Sequence, residues 1–175
     1  SNNNIGIYTD IIKKFNPMRQ LAVTTPVFDN DSIRGIFFDQ DEEIKITVDF
    51  DQTVFKSESK TVTLYGNILV FECPNGTGKL ENFTKKDAAE YAESFIDNLN
   101  FDSKNNIKLE KVSEYEKGYM VYFNELYGKN SVFCSSREVY VTESGIISMR
   151  AEFYNIEGYI GEKRQICSCD EALLT

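Results

Sequence analysis

The 175-residue chain is 41% hydrophobic and carries 19 basic against 28 acidic side chains, a net charge of −9. That apolar share is enough to bury a core and excludes a disordered chain, and the acidic balance repels a phosphate backbone, which argues against nucleic-acid binding. His is absent, which removes Ser-His-Asp and Cys-His catalysis, His-ligated zinc and imidazole pH sensing.

In chain order, Ile5, Tyr8, Ile11, Ile12 and Phe15 fall near helical spacing and predict a short amphipathic helix over 5–15, stopped at Asn16-Pro17. Thr24, Thr25 and Pro26 read as loop or edge strand. From Ser32 to Phe71 the pattern favours strands. Residues 33–38 form a short apolar run. Ile44, Ile46, Val48 and Phe50 alternate with Lys45, Thr47, Asp49 and Asp51, as a half-buried strand does. Residues 61–71 read as strand with a turn at Gly66-Asn67, and Cys73-Pro74-Asn75-Gly76-Thr77-Gly78 as loop.

The strongest helix signal spans 84–99. Thr84 and Asp87 have capping-box spacing, Phe83 sits at the staple position, and Ala88, Ala92, Phe95 and Leu99 form one apolar stripe. A meander follows: 107–116, 119–127, 131–142 and 146–154 read as strands joined by short Gly-containing turns. The apolar parity slips between Val132/Cys134 and Val139/Val141, which predicts a bulge near Ser135–Arg137. Ser168 or Asp170 reads as the cap of a final helix. The expected fold is α+β: antiparallel sheet with one main amphipathic helix on one face. Residues 1–82 form a strand-rich part and 83–175 the helix plus meander, together one compact domain.

Candidate chemistry is sparse. Asp49-Phe50-Asp51-Gln52-Thr53 after an apolar strand resembles the first motif of haloacid-dehalogenase-type phosphatases, with Asp49 as nucleophile and Asp51 as general acid beside magnesium. That fold needs alternating strands and helices, whereas the following segments read as strands, so neither Asp is expected to be catalytic. Gly76-Thr77-Gly78-Lys79 lacks the first Gly and the final Ser or Thr of a phosphate loop. The acidic cluster Asp39, Asp41, Glu42 and Glu43 lacks calcium-loop spacing and reads as a solvated turn. Asn75-Gly76-Thr77 and Asn82-Phe83-Thr84 match the glycosylation triplet, a pattern common by chance.

The four cysteines, Cys73, Cys134, Cys167 and Cys169, contain C-x-C but no C-x-x-C. They suit buried thiols, or a disulfide from Cys73 or Cys134 to the Cys167/Cys169 pair in an oxidising compartment. No catalytic residue, metal site or cofactor is expected, nor any small-molecule substrate. The meander is rich in Tyr, with Tyr115, Tyr119, Tyr122, Tyr127 and Tyr140. Tyr119, Tyr122, Tyr127 and Tyr140 are the candidate partner surface, because Tyr joins an apolar face to a polar tip.

From Phe83 onward the chain resembles the YycI/YycH type of regulatory protein. The matching pieces run in order: Thr84-Lys85-Lys86-Asp87-Ala88-Ala89 through Phe95, Tyr119-Met120-Val121-Tyr122-Phe123 with Tyr127-Gly128, Val132-Phe133-Cys134-Ser135, Val139-Tyr140-Val141-Thr142-Glu143-Ser144-Gly145-Ile146, and Arg164-Gln165-Ile166-Cys167-Ser168 through Leu174. The resemblance implies helix-plus-meander units similar to PepSY modules and an extracytoplasmic domain behind an N-terminal membrane helix that lies outside this sequence. It also implies a non-catalytic role: contact with a membrane histidine kinase of Gram-positive bacteria, or with a paralogous regulatory protein, that restrains signalling. The alternatives are the magnesium-dependent phosphatase using Asp49 and Asp51, and a PepSY-like secreted inhibitor or structural module.

Overall fold

The computed structural model describes residues 18–81, 83–99 and 106–164. The expected helices at 5–15 and after Ser168, and any cysteine pairing to Cys167 or Cys169, lie outside them. The chain divides into two compact units, residues 24–155 and residues 1–23 with 156–175. The smaller contributes strands β1 (Met18–Thr24) and β10 (Asn155–Arg164), hydrogen-bonded as a two-stranded sheet. β10 was not foreseen in the sequence.

The larger unit is built on an eight-stranded sheet of order β2-β3-β4-β5-β9-β8-β7-β6. Its strands are β2 (Lys45–Val48), β3 (Gln52–Lys56), β4 (Thr61–Tyr65), β5 (Ile68–Glu72), β6 (Asn106–Tyr115), β7 (Gly118–Tyr127), β8 (Asn130–Thr142) and β9 (Gly145–Glu152). Every neighbouring pair is antiparallel. The β5–β9 pairing joins strands from both sides of residue 82 into this one sheet. The α+β class holds, and the helices among the described residues are α1 (Asn30–Phe37) and α2 (Lys85–Asp97).

Three local readings are confirmed. The Gly66-Asn67 turn separates β4 from β5. Thr84 and Asp87 close a capping box on α2, Asp87 N–H bonding to Thr84 Oγ1 and Thr84 N–H to Asp87 Oδ2. The β7–β8 register jumps from Asn124↔Ser136 to Glu125↔Val132, which is the expected bulge.

Two readings are corrected. Residues 33–38 do not form a strand; most of them lie in α1. Asp29 caps this helix by accepting the Ser32 N–H at 2.9 Å, and Ile33 and Phe37, one helical turn apart, both enter the core. Four apolar residues in a six-residue segment give no decisive period, so the cap settles its structure. The alternation at 44–50 also does not yield a half-buried strand: all four residues of β2 are exposed. Among the described residues, β2 ends the sheet and has no neighbouring strand on its outer side.

Side chains on one sheet face meet the helices. Val62, Phe71, Met149, Val139 and Val121 align across five strands through the pairing register, and all are buried. α2 lies over β6, β7 and β8. Phe37 of α1 meets Phe71 at 5.2 Å between ring centroids, and Phe95 of α2 meets Phe71 at 5.5 Å. Along α2 the buried residues are Ala88, Ala92 and Ile96, followed by Leu99, while Phe95 is half-buried at the margin. The stripe therefore runs through Ile96 where Phe95 was expected.

The Gly-rich loop after β5 is docked on the β8–β9 hairpin. Gly78 N–H bonds to Ser144 O, Leu80 N–H to Glu143 O, and Ile146 N–H to Thr77 Oγ1. Gly76 is required by this close approach: its φ is +79° and a Cβ there would lie 1.9 Å from Ser144 O. Gly76→Ala is therefore expected to cost about 2–4 kcal/mol, as strain at a positive φ plus a backbone clash. Urea denaturation of the variant checks this, and a loss below about 0.5 kcal/mol would contradict the docked loop.

Candidate functional site

The sheet face opposite α1 and α2, helix-free among the described residues, is the candidate site. Strand alternation puts Thr47, Val54, Thr63, Val70, Arg150, Glu138, Tyr122 and Lys111 in one row across all eight strands. Tyr140 stands one step along, opposite Met120 and Ser148. Two aromatic anchors are held by neighbours on this face. Tyr140 packs edge-on against Tyr115, centroids 5.1 Å apart. Lys111 Nζ lies 5.9 Å from the Tyr122 ring centroid, within cation–π reach. A shallow groove of about 500 Å³ borders Tyr140 and is lined by Lys117, Thr142, Glu143, Ser144 and Ile147.

The four tyrosines singled out in the sequence divide between two faces. Tyr122 and Tyr140 share the helix-free one. Tyr119 alternates with Val121 and Phe123 on the helix side, where it packs on Phe83 at 5.3 Å. Tyr127 has the same parity as Tyr119 along β7. Tyr122 differs in parity from Tyr119 and Tyr127 within β7, and the β7–β8 register places Tyr140 on the Tyr122 side through Met120.

Asp49 and Asp51 lie at the exposed β2–β3 turn, where Asp49 Oδ1 accepts the Phe50 N–H at 2.8 Å. The sheet behind them is antiparallel, not the parallel, doubly wound one the phosphatase motif requires. The acidic turn is used structurally: Lys60 Nζ bonds Asp39 and Glu42, each at 3.1 Å. Among the described residues, no three His, Cys, Asp or Glu side chains are grouped to hold a metal ion. Cys73 is buried and Cys134 exposed.

Glu42 gives this turn a pH signature. Burial pushes its pKa up, but hydrogen bonds from Ser57, the Asp39 backbone and Lys60, together with the Lys60 charge, outweigh that and hold it at about 2, below its ordinary 4.5. The stability it contributes is present above the unfolded value and is lost as pH falls from about 4.5 through about 2. Glu42→Gln should therefore be less stable than the parent at neutral pH, and the gap should close across that acid window. A gap constant with pH would contradict the assignment.

A further cluster escaped the sequence reading. Glu125, Ser135 and Arg137 are all buried beside the β8 bulge. Arg137 Nη2 lies 3.8 Å from Glu125 Oε2, and its guanidinium carbon 4.7 Å from the Phe153 ring centroid. The Ser135 hydroxyl bonds the Glu125 carboxylate and meets the Glu152 carbonyl at 3.0 Å. Burial lowers the Arg137 pKa and the Glu125 charge raises it back in part. The parity slip at Ser135–Arg137 was its only signal in the sequence.

No family model matches the chain, and no curated protein matches it. Among solved structures, the chain is similar to the Bacillus megaterium YpeB C-terminal domain, with a TM-score of 0.52 at 13% identity. The match covers 72% of this chain and 63% of that one, so the chain spans less than two thirds of that structure. The likeness supports a PepSY-like fold.

Proposed function

We infer that this chain is a non-catalytic, extracytoplasmic binding domain that modulates a membrane sensor histidine kinase by surface contact, directly or through a paralogous regulatory protein. The observation that carries this reading is the helix-free sheet face, on which Tyr122, Tyr140 and Tyr115 stand among half-exposed apolar and charged side chains. An antiparallel sheet covered on one side only leaves such a face for a partner, and Tyr gives large contact area at low entropic cost. The fold likeness to the YpeB domain supports only the non-catalytic binding part of this reading, and the kinase part rests on the resemblance to YycI/YycH regulators. The net charge of −9 disfavours direct docking on anionic lipid. A micromolar partner needs about 8 kcal/mol of binding free energy, which a few buried aromatics can supply. A PepSY-like inhibitor or structural module without a kinase is the second reading, favoured by the fold likeness alone.

The test is kinase output with the domain tethered to a membrane beside candidate kinases. Tyr122→Ala with Tyr140→Ala is expected to abolish the change in output while Tyr119→Phe leaves it intact. A double variant that stays folded and still modulates output contradicts this use of the face. A wild-type domain that alters no kinase tested favours the second reading.

A further inference from the structure

The two outer strands of the eight-stranded sheet differ in kind. β6 has a register shift between Leu109 and Lys111, and carries Lys108, Glu110, Lys111 and Glu114. Bulges and charges are the usual means of blunting a sheet edge. β2 is short and carries Lys45, but it has no register shift and its outward-facing residues are apolar. Ile46 and Val48 are 46% and 74% exposed, and Phe50 at the hairpin tip is fully exposed. Phe at a tight hairpin turn, where Gly, Asn and Asp are favoured, has no explanation in turn chemistry.

The backbone is oriented for pairing as well. Asp49 N–H donates to Gln52 O and closes the hairpin. By alternation, Lys45, Thr47 and Asp49 direct their backbone groups toward β3, and Ile46 and Val48 present theirs at the outer edge.

We propose that β2 pairs antiparallel with β2 of a second copy of this chain, about a two-fold axis at Thr47. The strand is self-complementary in that register. Ile46 lies opposite Val48 of the second copy, as a hydrogen-bonded pair of apolar residues. Lys45 lies opposite Asp49, so two opposite-charge pairs flank the axis, and Ile44 lies opposite Phe50. Centring on Ile46 instead sets Glu43 against Asp49, a like-charge pair that disfavours it. The two-fold contact is isologous and closes as a dimer, whereas joining β2 to β6 would propagate without end. The apolar surface offered by the three exposed side chains is on the order of 400 Å² per chain, less than a tight interface uses, so the dimer is weak, micromolar or looser.

Sedimentation of the 175-residue chain over a concentration series tests this, with melting temperature as the fold control. Reversible dimerisation is expected. Val48→Pro removes an outward N–H without touching the β2–β3 ladder, and should weaken the dimer tenfold or more. Lys45→Glu and Asp49→Lys should each weaken it similarly, since each sets like charges opposite one another. An equimolar mixture of those two variants should restore association, because every flanking pair then joins opposite charges. A wild-type chain that stays monomeric at millimolar concentration overturns the proposal. So does a dimer indifferent to Val48→Pro, or a variant mixture that associates no better than its folded components.

Discussion

Glu125→Gln is expected to destabilise the domain by about 3–5 kcal/mol, the cost of leaving a buried charge without its counter-charge. The substitution keeps the shape and can still bond the Ser135 hydroxyl, so packing loss contributes little. It removes the negative charge facing Arg137, which is only 1% exposed. Among the described residues, Arg137 Nε and Nη1 have no hydrogen-bond partner, and the guanidinium rests against Glu125 and the Phe153 ring. Replacing both members, Glu125→Leu with Arg137→Met, removes the charge and its desolvation cost together, and should be far milder than either change that breaks the pair. Denaturant unfolding of the two variants decides the matter. A Gln variant within about 1 kcal/mol of the parent would mean that the pair is hydrated in solution.

Phe71→Ala is expected to cost about 4 kcal/mol, and Phe95→Ala about 2–3 kcal/mol. Phe71 is 1% exposed and packs against both Phe37 and Phe95, one ring from each helix, in a three-ring cluster in which the two helix rings also meet at 6.1 Å. Truncating it opens a cavity beneath both helices, and the surrounding sheet is too regular to collapse into it. Phe95 touches the same cluster but is half-buried, so it takes less apolar surface from water. The order of the two effects is the sharper test. If Phe95→Ala costs more, the helix is rotated relative to the stripe described above.

The meander and the capped helix were legible because each has a local signal. Glycines at the turns fix the strand ends, and the Thr84–Asp87 spacing fixes the start of α2. What failed was decided by distant partners. Ile33, Ile36, Phe37 and Phe38 suit a buried strand or a helix equally, and the Asp29 cap with the aromatic contact to Phe71 goes with the helix. β2 reads as half-buried because its alternation is clean, but its burial depends on where it stands in the sheet, and it stands at the edge. The division of the tyrosines followed from parity. Tyr119 and Tyr122 differ by an odd number of residues along one strand, so they face opposite ways.

The central claim is that the helix-free face receives a partner protein. It is tested most directly by placing a photo-cross-linking amino acid at Tyr140, and separately at the exposed Glu93 of α2, in the membrane-tethered domain beside a candidate sensor kinase. Adducts to the kinase or its associated regulator from position 140, and none from 93, are the predicted result. Adducts from 93 with none from 140, while both proteins remain folded, would contradict it.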